Sequence, residues 1–205
     1  MGPNTDKELW KPGNMLYPVP PVLVTVSDGE GHDNVLTIAW TGTVCTNPPM
    51  VSISVREERY SFQMLTRTGE FVVNLPSRNL AEAVDYCGVR SGRDTDKFEI
   101  MKLTKQKCRH VCVPMIAESP VSIECRVREH LPLGSHHLFL ADVLGVYVDQ
   151  KLLDASGKLH LEKGDLLVYS HGEYYALGDR TGSFGYSVKK QVHRRVKKNN
   201  LHNQK

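Results

Sequence analysis

Apolar and polar residues alternate with a period of two through most of this 205-residue sequence. "PVLVTVSD" (21–28) alternates and runs into the turn signal "DGEG", after which "NVLTIAW" (34–40) resumes. "PMVSISV", "GEFVVNLP" and "SPVSIECRVREHLPL" follow the same rhythm, and "HHLFLADVLGVYVDQKLL" is a long β-branched apolar run. "DLLVYSHGEYYAL" looks like a hairpin turning at Ser170, His171 and Gly172. Only two stretches invite a helix. Arg59 to Gly69 places apolar residues three and four apart and ends in glycine. "SRNLAEAVDYCGV" offers Ser77 as a cap and Leu80, Ala83, Val84 and Cys87 as a stripe. Many strands, two short helices and no βαβ alternation predict a mainly β chain, a barrel or a sandwich.

Charge narrows the partners. The formal net charge is +3, but residues 189–205 hold seven of the 26 basic residues and no acidic one. The body is left with 19 basic against 23 acidic residues, a charge of −4. The basicity is a property of the tail, read as a solvated terminus; nucleic acid is not expected as a partner, because no basic face interleaved with aromatics appears in the body. No apolar run approaches the ~18 residues of a membrane span, and residues 1–15 have no apolar core of the signal-peptide kind. Five scattered cysteines read as free thiols, which places the protein in the cytoplasm.

The common chemical motifs are missing. No glycine-rich loop leads into Lys and Ser/Thr, and "GDRTGSFG" has the wrong spacing for a dinucleotide fingerprint. "CRHVC" (108–112) offers two thiols and His110 without a second ligand pair, so free thiols are the stronger reading than zinc. His136 and His137 are adjacent; on a strand they point to opposite faces and cannot share one metal.

What stands out is an ordered set of segments. They are "NVLTIAWTG" (34–42), "NPPMVSISVREERYSFQML" (47–65), "GEFVVNLP" (69–76), "DKFE" (96–99), "GSHHLFLADV" (134–143) and "GDLLVYSHGEYYALG" (164–178). Together they resemble the flavin reductase-like family of FMN-binding split barrels, and within it the flavoredoxin type. The resemblance implies an antiparallel split β-barrel, Greek-key-like, over residues 17–188, between an N-terminal extension (1–16) and the basic tail (189–205). It also implies a homodimer with FMN at the subunit interface.

Under that resemblance the site residues fall in three groups. The lean stretch Leu36, Thr37, Ile38, Ala39, Trp40, Thr41 and Gly42 lies along the isoalloxazine. Thr37, Ala39, Thr41 and Gly42 let backbone approach the ring, while Leu36 and Ile38 alternate with them toward the core. Trp40 either packs against the ring or fills the core. Ser54, Val55, Arg56, Arg59, Tyr60 and Ser61 fall where the family holds ribityl and phosphate groups, at the start of a helix whose N–H groups and dipole suit an anion. One of Arg56 and Arg59 is expected to meet the phosphate; the alternative is a solvated pair answering Glu57 and Glu58. In "GSHHLFL" the resemblance assigns His136 the catalytic place near flavin and nicotinamide. His137 stands where a Thr is more typical, which leaves open which imidazole faces the site. Tyr169 and Tyr174 are assigned to closing the pocket.

The implied activity is an NAD(P)H-dependent reductase passing electrons through FMN to a second acceptor. The alternatives are a flavoredoxin-like carrier that exchanges electrons with a redox partner protein, and, more remotely, a cofactor-free module with a nucleic-acid-binding tail.

Overall fold

The computed structural model describes residues 6–188; the basic tail lies outside them. Eleven strands and three helices run in the order β1 (Val22–Ser27), β2 (Asp33–Ile38), β3 (Thr41–Cys45), β4 (Met50–Val55), α1 (Tyr60–Thr68), β5 (Glu70–Leu75), α2 (Ala81–Val89), α3 (Lys97–Ile100), β6 (Lys105–Gln106), β7 (Met115–Ile116), β8 (Val121–Pro132), β9 (His137–Val148), β10 (Leu167–Ser170) and β11 (Glu173–Ala176). Seven form one antiparallel sheet in the order β2-β1-β5-β8-β9-β4-β3. β2 and β3 are consecutive in sequence yet lie at opposite ends of that order. The chain therefore crosses the split of the barrel at Ala39 and Trp40, where Ser54 N–H donates to the Trp40 carbonyl at 2.9 Å. This is the mainly β split-barrel fold that the alternation and the resemblance both indicate.

Alternation explains the core directly. Val22, Val24 and Val26 of β1 turn inward with Leu36, Ile38, Ile53, Val55, Phe71, Val73, Phe139 and Ala141, and α1 plugs this interior with Phe62, Met64 and Leu65. The other face of β1 is also covered: Leu23 and Val35 pack against Leu80, Ala83, Val84 and Cys87 of the α2 segment and Phe98 of α3. That is why β1 is buried at every position although its sequence alternates.

The first helix lies where its spacing predicts, from the cap at Arg59 to a left-handed Gly69. The second differs at its start. Ser77 makes no capping bond; it opens a 3-10 turn, Arg78–Leu80, and bridges Leu166, so the α-helix begins only at Ala81. A third, four-residue helix was not among the two expected. It forms because the Asp96 carboxylate accepts from Phe98 N–H and Glu99 N–H. The hairpin turns at His171 and Gly172, both with positive φ (48° and 98°), as a two-residue turn between twisted strands requires.

Candidate functional site

Three cavities join into one trough along the open edge of β2. The first, about 320 Å³, lies between the start of α1 and the loop after α2. The second, about 130 Å³, shares Leu36, Thr37 and Arg59 with it and adds Ile38, Ala39, Trp40, Ser54, Val55, Arg56 and His136. The third, about 270 Å³, shares Ala39, Trp40 and Ser54 with the second and continues past Thr41 and Gly42 to Leu16 and Val19.

The first cavity is cationic. Arg59, Arg90, Arg93 and Lys97 line it against one carboxylate, Glu58, with Ser61 and Ser91 between them. Lys97 is only 3% exposed. Its ammonium donates to the carbonyls of Val35 (2.7 Å) and Cys87 (3.0 Å), and burial lowers its pKa to about 8. Because Val35 gives its carbonyl to Lys97 and not to β1, the antiparallel rule turns the N–H and C=O of Thr37 to the same open edge. No side chain caps α1; Phe62 N–H donates to the Arg59 carbonyl at 2.9 Å, and Tyr60 and Ser61, the first two residues of the helix, line the cavity, where a helix start suits an anion. Asn34 donates to the Ser61 hydroxyl at 2.7 Å, and Gly92 lies so close that a Cβ there would stand 2.2 Å from the Asn34 amide oxygen. A side chain at 92 would displace the Asn34 amide from this place.

The two arginines named from the sequence take different positions. Arg59 lines both the first and second cavities and donates to the Gly88 carbonyl at 3.1 Å, fixing the loop. Arg56 reaches only the second and pairs with Glu58 at 3.0 Å, half-exposed. Tyr60 and Ser61 line the cationic cavity, Tyr60 with its ring against the barrel core. Val55 and Ile38 are buried in the core, so their backbone is what the trough meets. Trp40 lies outside the barrel core, half-buried on the trough wall, with the Tyr17 ring 6.0 Å away.

The histidines separate as their adjacency requires. His136 faces the trough, and its pKa is lowered by burial first and by Arg56 second, which favours a neutral ring. His137 lies on the other face: its ring is 4.7 Å from Phe62, its Nδ1 is 2.6 Å from Nε2 of His130, and it does not line the trough. Tyr169 packs on Tyr17 at 5.9 Å, behind Trp40. Tyr174 turns its hydroxyl to Asp85 at 3.4 Å and lines none of the three cavities. Sequence reasoning missed Asn34, Lys97 and residues 88–93, the end of α2 and the loop after it. For Lys97 a signal existed: a lysine one position after a capping Asp and before a core Phe has little room to reach water.

In the "CRHVC" segment the two thiols part company. Cys108 is buried, Cys112 is exposed, and no group of three ligands forms among the described residues. Instead the buried Glu124 carboxylate accepts from His110 N–H at 2.6 Å and Arg109 N–H at 3.3 Å, pinning the segment to β8. No helix among the described residues is long and apolar enough to cross a membrane.

Comparison with known proteins places this geometry. The flavin reductase like domain model matches residues 15–178. Among solved structures, the flavoredoxin of Desulfovibrio vulgaris (Miyazaki F) superimposes with a TM-score of 0.83 at 30% identity, covering 90% of this chain and all of that one. The flavoredoxin of Methanosarcina acetivorans does so with 0.82 at 27%, over the same shares. An uncharacterised protein of Archaeoglobus fulgidus is 32% identical over 131 residues, 64% of this chain and 73% of the relative. The chain belongs to the flavin reductase-like family.

Proposed function

We propose that this member of a flavin redox family holds FMN in the trough and passes electrons from NAD(P)H through it to an acceptor. The observation that supports this most is the polarity of the trough. A buried lysine, Arg59 and an uncapped helix start gather at one end, and a small-residue edge strand with a Trp leads away from them. A flat ring with an anionic tail needs both parts in that order.

The chain's own contributions follow from this placement. Lys97, Arg59, Ser61 and the first-turn N–H groups of α1 would hold the phosphate. The Thr37 backbone pair and the close approach allowed at Ala39 would meet the polar edge of the ring. His136, kept neutral by burial, can accept or donate one hydrogen bond over the middle of the trough without adding charge there. When bound, FMN supplies hydride acceptance and one- or two-electron delivery.

The experiment is reconstitution followed by anaerobic mixing. The flavin-free protein should take up FMN with a shifted visible spectrum, and NADH or NADPH should then bleach it promptly. A protein that stays colourless with excess FMN rules the reading out. Bleaching by dithionite or a redox partner alone favours a second reading, an electron carrier, for which the 30% identity to a flavoredoxin speaks.

We further propose a homodimer. Leu9, Trp10 and Leu16 near one end of the described chain, and Phe184 and Val188 near the other, are apolar and largely exposed, which a second copy would cover. Sedimentation of the FMN-loaded protein as a monomer at micromolar concentration would count against it.

A further inference from the structure

A further cavity, about 580 Å³, shares no lining residue with the trough. It is formed by the loop between β6 and β7, where Lys105, Lys107, Arg109 and His110 line it together with Asp33, Val111 and Pro114. We infer that it is a second ligand site, for a small organic phosphate: a phosphate monoester on an apolar body. The inference stands independently of the flavin reading.

Charge points there first. The body of the chain is net acidic, yet residues 100–117 hold four Lys or Arg and no Asp or Glu. The cavity's own carboxylate, Asp33, is matched by Lys105 at 2.8 Å. His110 answers Glu124, with its Nδ1 3.4 Å from that carboxylate. The side chains of Lys107 and Arg109 have no hydrogen-bond or ion-pair partner among the described residues. Two uncompensated cations match a phosphate monoester, which carries roughly two negative charges at neutral pH. The guanidinium can fork onto two of its oxygens while the ammonium supplies a point charge. Size comes next. The volume exceeds what a bare phosphate fills and lies within the roughly 300–1,000 Å³ of small-molecule sites. Val111 and Pro114 offer the rest of the ligand an apolar wall.

The loop is also held in shape. It has only a two-residue pairing of its own, yet it is pinned at four points. The fully buried Glu124 carboxylate of β8 takes the N–H groups of Arg109 and His110. Glu70 accepts from Cys112 N–H at 2.9 Å, and Arg126 donates to the His110 carbonyl at 3.0 Å. Thr25, buried on β1, donates to the Pro114 carbonyl at 2.6 Å. Gly145 of β9 makes room for the imidazole: a Cβ there would stand 3.2 Å from His110 Nδ1. Burying a carboxylate is costly unless it is fully bonded, and here its bonds fix a surface loop before any ligand arrives.

The probe is α-naphthyl phosphate, titrated calorimetrically into the full chain with and without FMN. Cys112 lines the same cavity, and its exposed thiol reports occupancy through its rate of alkylation by neutral iodoacetamide, followed by mass spectrometry. Cys45, half-buried on β3, is the control in the same digest. Saturable binding is expected, with Cys112 protected severalfold and Cys45 unaffected. Uncharged α-naphthol should give no protection, and inorganic phosphate, lacking the apolar body, should bind about tenfold more weakly. Arg109→Gln should raise the half-saturation concentration about tenfold and Lys107→Gln severalfold, and the double variant should no longer saturate. Both side chains are exposed and unpartnered, so neither change threatens the fold. Absence of saturation in the parent, or equal protection by α-naphthol, overturns the site. Undiminished binding in the double variant would put the probe in the trough and overturns it too. A protein that takes up no FMN fails the flavin reading and leaves this titration standing.

Discussion

The two ends of the trough are built from opposite materials. At one end Arg59, Arg90, Arg93 and Lys97 surround about 320 Å³, with two serines and an uncapped helix start between them. At the other, about 270 Å³ is enclosed without a single ionisable side chain. Both ends draw on one continuous stretch, residues 34–42: the first on β2, the second on the crossing at Ala39 and Trp40 and the start of β3, with Ser52 and Ser54 of β4 beside it, so the contrast comes largely from what packs against each half. A loop and a helix start bring charge to its first half, and the segment before β1 brings Leu16 and Val19 to its second. The division would let the first half anchor an anion while the second offers a neutral ring an uncharged surface.

The sharpest way to break this contrast is to remove the buried charge. Lys97→Met should weaken FMN binding roughly 10–100-fold, the range for losing a hydrogen bond to a charged group. Riboflavin, which lacks the phosphate, should lose far less, so the ratio of the two affinities is the measurement. Equal losses for both ligands would mean that Lys97 supports the fold through Val35 and Cys87 and not the anion.

The pH dependence is next in size. Burial brings the Lys97 pKa from 10.5 down to about 8, so below pH 8 the ammonium is present to attract an anion and above it the charge is progressively lost. FMN affinity should therefore fall as pH rises through 8, by at most about tenfold per unit. For the ligand-free protein the sign is opposite. Between about pH 8 and 10.5 the unfolded chain binds the proton that the folded chain has released, so stability rises with pH across that window. Calorimetric titrations from pH 6.5 to 9.5 check the first, and thermal melts the second. Lys97→Met should flatten both.

A smaller effect separates the arginines. Arg59→Ala should weaken FMN retention severalfold and loosen the loop at Gly88. Arg56→Ala should do less, because Arg56 is occupied by Glu58 and only half-buried beside the middle of the trough. Equal losses would return the phosphate to the middle of the trough.

Much of this architecture is legible in the residue pattern, and the unread part has one physical cause. Period-2 alternation marks β1, β2, β4, β5, β8 and β9, because one face of each turns to the barrel core. The lean run through Trp40 is visible as a departure from that rhythm. Thr41–Cys45 is harder to read as a strand: it lies at the sheet's end with three consecutive exposed residues, so no apolar period marks it. Ser77 resembles a cap, yet tertiary pairing with Leu166 draws it into a bridge. Asn34, Lys97 and the loop around Gly92 reach the site only through tertiary packing, Asn34 on Ser61 27 residues on and Lys97 on Val35 62 residues back, which no local pattern marks. His137 reads as a site residue beside His136 until the strand's pleat sends it to Phe62.

The smallest expected effect is a null result on one side only, and it tests the contrast most directly. Raising salt from about 0.05 to 0.5 M shortens the Debye length severalfold and should weaken FMN binding through the partly exposed Arg59, Arg90 and Arg93. Lys97, buried behind them, is screened less, so part of the affinity should survive. Riboflavin binding should shift far less, because neither its ring nor the third cavity carries charge. A riboflavin affinity that falls with salt in parallel with that of FMN would put the ring itself at the cationic end and erase the contrast between the two ends.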